Sequence, residues 1–182
     1  MILPILFAVV TRCGVTFDAP DGWRASVEKI DEAGIACLID LDPPKWPDPK
    51  HSRWGGPEHP FKIEIYTPST TYDQALEKMG FDKDEQGRVG VPGFRSVLEE
   101  AKPWRMGKLR GVIAEPFYRG YIQDESLLRK DEERVYSTVE YHVVAKTAGR
   151  WIGIECDFGT PDASVDCDAV MTLVARGLRF SK

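Results

Sequence analysis

The sequence has no Gly-x-Ser-x-Gly elbow, phosphate-cradling glycine loop, dinucleotide fingerprint or His-Glu-x-x-His pair. It therefore lacks the signatures of a serine hydrolase, a P-loop enzyme, a Rossmann dehydrogenase and a zinc protease. No Cys-x-x-Cys occurs among its four cysteines, which argues against a structural zinc site. Histidine is scarce, with three in 182 residues. Basic charge is short too: 24 Lys+Arg stand against 29 Asp+Glu, a formal net charge of −5. A phosphate-backbone partner needs a basic stripe, so no nucleic-acid partner is expected. There is no internal repeat, coiled coil or low-complexity tail. The apolar run Met1–Val10 is too short to span a bilayer, so no transmembrane helix is expected.

That N-terminal run resembles the core of a signal peptide. It lacks a basic residue before it and a small-x-small cleavage site after it. Arg12 also stands where a lipoprotein reading of Cys13 needs a small residue. Two readings stay open for residues 1–12: a truncated or atypical leader, or a buried first strand. Residues 13–182 suit one domain, long enough to bury a core without help from disulfides. The composition, 42% hydrophobic and 29% charged, is that of an ordinary globular chain.

Short strands dominate the pattern. Cys13, Val15 and Phe17 alternate with Gly14, Thr16 and Asp18 before a Pro20-Asp21-Gly22 turn. Strands follow over 23–30 and 35–41. Prolines 43, 44, 47, 49, 57 and 60 make 43–60 an irregular loop, since proline has no donor for a ladder. Phe61–Thr67 alternates cleanly, which predicts a half-buried strand in an antiparallel sheet. Thr71 and Gln74 form a capping box for a helix whose apolar residues Tyr72, Ala75, Leu76 and Met79 share one face. Residues 81–93 read as a loop and 94–102 as a short helix. Strands are expected at 109–114, 117–123, 135–146 and 151–158, with Ala148-Gly149 turning the last hairpin. A final helix runs from about Val165 to Arg176. The fold class is α+β, an antiparallel sheet with two or three helices packed on one face.

The candidate site residues are few. Cys156 on the last long strand and Cys167 on the final helix both fall on core-facing positions, which predicts a disulfide worth about 3 kcal/mol in the chain-entropy model. Reduced core cysteines are the alternative. Cys13 and Cys37 also face inward, but in a simple meander their strands are not neighbours, which speaks against a bond between them. Trp46, Trp54 and Trp104 fall in loops or at an element edge. They are candidate partner-binding residues, since exposed aromatics supply contact area, or else lids folded back over the core. His51 and His59 sit in the proline-rich loop and read as ordinary loop residues. Glu140 and His142 alternate on the wetter face of their strand, where such a pair can assist proton transfer. No metal or cofactor is expected.

Phe17-Asp18-Ala19-Pro20-Asp21-Gly22-Trp23 resembles the Phe-x-x-Pro-x-Gly-Trp opening of the Mog1/PsbP-like and DcrB-like families. The capped helix after Thr71, the closing hairpin, the final helix and Leu178-Arg179-Phe180 are similar to theirs, so the likeness spans most of the chain after residue 12. The proline-rich loop departs from the short connection usual there, and no partner site is carried across. The resemblance implies an antiparallel sheet backed by helices and a non-catalytic binding or assembly role.

Three functional expectations follow. The first is a protein-binding module of the bacterial cell envelope, with loop 43–60 as its leading surface. The second is a cytoplasmic secretion-linked chaperone or immunity-type protein with all cysteines reduced. The third is a small enzyme using Glu140, His142 and Glu155 on the open sheet face.

Overall fold

The computed structural model describes residues 7–28, 33–46, 59–121, 135–160 and 163–180. The elements, in chain order, are β1 (Phe7–Arg12), β2 (Val15–Pro20), β3 (Arg24–Glu28), β4 (Ile35–Asp42), β5 (Phe61–Tyr66) and helix α1 (Tyr72–Lys78). Then come β6 (Asp82–Lys83), β7 (Val89–Pro92), β8 (Leu98–Glu100), β9 (Lys102–Met106), β10 (Leu109–Ala114) and β11 (Phe117–Tyr121). The chain closes with β12 (Val135–Thr147), β13 (Arg150–Asp157), β14 (Gly159–Thr160), β15 (Ala163–Ser164), helix α2 (Cys167–Gly177) and β16 (Arg179–Phe180).

The large sheet has the order β3-β4-β5-β13-β12-β10-β9, with β11 pairing the first half of β12, and every pairing is antiparallel. A smaller antiparallel sheet, β1-β2-β16, stands apart from it. The turns explain the tight hairpins. Cys13-Gly14 and Ala148-Gly149 each place two successive residues at positive φ, the conformation whose twist matches a two-residue hairpin. The long β12–β13 hairpin follows from the second of these, as its sequence predicts.

Alternation along the strands divides the core in two. On the first face Cys37, Ile39, Leu41, Phe61, Ile63, Ile65, Val143, Ile152, Ile154 and Cys156 are buried. Over them lie Val170, Met171 and Val174 of α2, side by side with Val15, Phe17 and Ala19 of β2. On the second face Tyr66, Ala114 and Val144 meet Ala75, Leu76 and Met79 of α1, with Phe81 and Val91 beside them. Each buried aliphatic side chain adds about 1.5–3 kcal/mol of hydrophobic stabilisation.

The two helices thus each pack on one face of the sheet, α2 on the first and α1 on the second. The expectation of a single helical layer is corrected to this extent. The cause is Gly153, which points to the second face between Glu64 and Val144. A Cβ there would collide with the Met79 sulfur and stand 2.7 Å from the Tyr66 hydroxyl. A bare backbone at this point is what lets α1 settle on the strand.

Helix ends follow the sequence. Thr71 Oγ1 accepts the Gln74 N–H at 3.3 Å, and Gln74 Oε1 accepts the Thr71 N–H at 2.9 Å. Asp166 caps α2 by accepting the Ala169 N–H at 3.0 Å. Two local expectations are corrected. Residues 94–96 form one 3-10 turn and strands β8 and β9 follow, because Arg95 and Ser96 sit at positive φ and cannot propagate a helix. The segment 81–93 is not all loop, since β6 and β7 pair within it. Residues 7–12 form a strand on which Phe7 and Val9 are exposed, and residues 1–6 lie outside the described residues.

Candidate functional site

Among the described residues, both sheets end in an unpaired strand on the same side of the molecule. β1 is the last strand of the small sheet and β3 the last of the large one. Between them runs a groove of about 650 Å³, lined by Val9–Arg12 of β1, by Trp23–Ser26 and by Asp42. Alternate residues of an edge strand turn their backbone N–H and C=O groups away from the sheet, where they can pair with another chain. Among the described residues, the β1 edge has one such group answered: the Arg12 guanidinium donates to the Thr11 carbonyl at 2.9 Å. Exposed apolar side chains stand on both edge strands: Val9, 60% exposed, lines the groove, and Phe7 on β1 and Val27 on β3 are exposed further along the same strands.

The charge in the groove is opposite to that of the chain. Arg12 and Arg24 enter it, and neither makes an ion pair among the described residues. Among the described residues that line it, the one carboxylate is Asp42, met by His59 Nδ1 at 2.8 Å. Trp23 packs its ring on the core and lines the groove. In the sequence it stands out only as the end of the Pro-x-Gly-Trp motif.

The four cysteines stand in two disulfide pairs. Cys156 pairs with Cys167, Cα–Cα 5.9 Å, joining β13 to the start of α2 inside the first core. Cys13 pairs with Cys37, Cα–Cα 6.3 Å. The sequence reading sets those two strands apart, and this is corrected. The β1–β2 hairpin does not continue the large sheet but folds across its first face, which brings its turn over β4. Since β4 is the neighbour of β3, this bond ties one wall of the groove to the strand beside the other wall.

The predicted tryptophans divide. Trp46 and Trp104 are half-buried and pack against the first core. Trp54 lies outside the described residues, as do His51 and most of the proline-rich loop.

Glu140, His142 and Glu155 do share the second face, beyond the end of α1. His142 is buried and fully engaged. Its Nδ1 is 3.0 Å from the Met79 carbonyl, an acceptor only, so that nitrogen carries a proton and donates. Its Nε2 is 3.1 Å from Glu140 Oε2. Burial opposes a charge on the ring, but the bonds to Glu140 and Met79, with Glu155 nearby, outweigh it and raise its pKa. A ring so held ties α1 to the sheet through both of its nitrogens. Glu155 lies 3.4 Å from Lys62.

Around this pair the carboxyls crowd. Burial, together with Glu140 and Glu155, pushes Asp157 up to about 6, although the Gly159 N–H and the Thr138 hydroxyl both donate to it. Burial, Glu140, Glu155 and Asp157 push the Tyr118 hydroxyl up to about 12. Burial also raises Asp40, against the pull of His59, and among the described residues its Oδ1 has no hydrogen-bond partner. Among the described residues no group of three or more His, Cys, Asp or Glu is arranged to hold a metal ion, and no helix is long and apolar enough to cross a membrane.

Comparison of the sequence with known family models and with curated proteins gives no match.

Proposed function

We propose that this chain is a non-catalytic protein-binding or assembly module of the bacterial cell envelope, akin to the Mog1/PsbP-like and DcrB-like proteins. It holds its partner in the groove between β1 and β3. The observation that carries this reading is the pair of strand edges, unpaired among the described residues, that face each other across one groove, with exposed apolar side chains on both strands. Main-chain groups on such edges give affinity without any chemistry. The two disulfide pairs favour an oxidising compartment over the cytoplasm, and so favour the envelope over a cytoplasmic chaperone. The commitment of both His142 nitrogens weighs against the enzymatic reading.

A photo-cross-linking residue placed at Val9 or Ser26, in cells making the protein, tests the reading. Both sites line the groove and both are exposed; Val97, 59% exposed on the connection between β7 and β8, serves as the control. The same partner is expected on both groove positions and not on Val97. Adducts at Val97 alone, or at all three positions alike, would remove the groove from the account.

A further inference from the structure

Resting on the binding reading above, we infer that the groove takes an extended acidic segment of the partner, added as one strand to the edge of β1 with its carboxylates on Arg12 and Arg24. In β1, Phe-Ala-Val-Val-Thr runs five residues without a charge, a proline or a bulge, in unbroken register with β2. Proteins guard edge strands with such features, since a flat apolar edge recruits other strands. Among the described residues, the guard on this edge is Arg12 at its end, with its hold on the Thr11 carbonyl. An edge of this kind calls for a cover strand, and the wall formed by Trp23–Ser26 leaves a groove in which to lay one.

Charge chooses the occupant. The chain carries −5 overall, yet among the described residues the groove is lined by two guanidiniums against one carboxylate, and that carboxylate faces His59. A second copy adding through its own β1 would bring another Arg12 edge into an already positive groove. A segment alternating apolar and acidic residues instead matches both features: β-branched side chains on the exposed apolar residues, carboxylates on the arginines. The two guanidiniums offer forked donors suited to carboxylates.

Three synthetic ten-residue peptides test this: one alternating valine and glutamate, one alternating valine and lysine, and the glutamate peptide with alternate backbone amides N-methylated. Affinity for the oxidised protein is read by fluorescence anisotropy of a dye on the peptide. The glutamate peptide is expected to bind at least tenfold tighter than either of the others. Arg12→Glu with Arg24→Glu should weaken it at least tenfold without a change in melting temperature, both side chains being exposed. Equal binding of the N-methylated peptide would overturn strand addition. Equal binding of the lysine peptide would overturn the acidic occupant. A concentration-dependent dimer that protects the β1 amides would give the edge to a second copy and overturn the inference. If the cross-linked partner is captured at Val9 and Ser26 but the glutamate peptide does not displace it, this inference fails while the binding reading stands. If nothing is captured there, both fail.

Discussion

Reducing both disulfides lowers the stability of the protein by about 6 kcal/mol. The two closed loops span 11 and 24 residues of sequence separation and do not overlap, so their effects add. Chain entropy gives about 3 kcal/mol for the shorter loop and slightly more for the longer. Domains of this size are stable by only about 5–15 kcal/mol, so the loss is a large part of the whole. Thermal unfolding followed by circular dichroism with and without a thiol reductant should show a fall of roughly 15 °C. The single bonds are expected to differ in kind. Cys156 and Cys167 are fully buried in the first core, and breaking their bond loosens α2 from β13. Cys13 lies in an exposed turn, and breaking its bond releases the β1–β2 hairpin and with it one wall of the groove. Cys13→Ser should therefore weaken partner capture more than Cys167→Ser does, even at equal loss of stability. An unchanged unfolding temperature under reductant would mean that the hydrophobic core alone holds the hairpin in place.

The second large effect is of pH. Asp157, His142 and Asp40 all have folded-state pKa values raised above their ordinary ones. A raised group adds stability that is fully present below its unfolded pKa and is lost as pH rises through its folded pKa. For Asp157 that window runs from 3.8 up to about 6, and for His142 it begins at the ordinary 6.5 and extends upward. All three groups therefore favour the folded state under mild acid. Between pH 8 and pH 5 the gain from Asp157 is about 1–2 kcal/mol, and about 3 kcal/mol is approached only near its unfolded pKa. His142 adds in the same direction. Urea unfolding at pH 5 and pH 8 should thus show the higher midpoint at pH 5. Asp157→Asn keeps an oxygen for the Gly159 N–H and the Thr138 hydroxyl but cannot ionise. It should be more stable than the parent at pH 8 and nearly level with it at pH 4. A parent protein that is more stable at pH 8 would contradict the buried, crowded carboxyls.

Much of the fold is legible in the chain because local rules decide it. Thr71 with Gln74 fixes the start of α1, Ala148-Gly149 fixes the β12–β13 hairpin, and the alternation of Phe61–Tyr66 fixes a strand and its faces. Core periodicity also places Cys156 and Cys167 toward the same layer. What stays hidden is decided by packing between distant segments. Gly153 reads as a neutral gap in a strand, yet it is the seat of α1. The strand of Cys13, Val15 and Phe17 reads as the first rung of a meander, yet it pairs with β1 in a separate sheet laid over the first face, which brings Cys13 to Cys37. The groove follows from that placement, since two edges can face each other only once the small sheet has left the large one. No periodicity in Phe7–Arg12 or Arg24–Glu28 marks either as an edge. The exposure of Phe7 and Val9 on a strand of uncharged residues becomes informative only with the pairing known. Trp46 and Trp104, drawn to notice by their place in loops and edges, are tied to the core, while Trp23 stands at the groove.

The most direct measurement is amide hydrogen exchange on the oxidised protein, alone and saturated with the partner recovered by cross-linking. The account predicts slowed exchange at alternate amides of Phe7–Arg12, with lesser slowing over Arg24–Glu28, and little change in α1 or around Val97. Slowing confined to α1, to the second sheet face near His142, or to no part of β1 would contradict it.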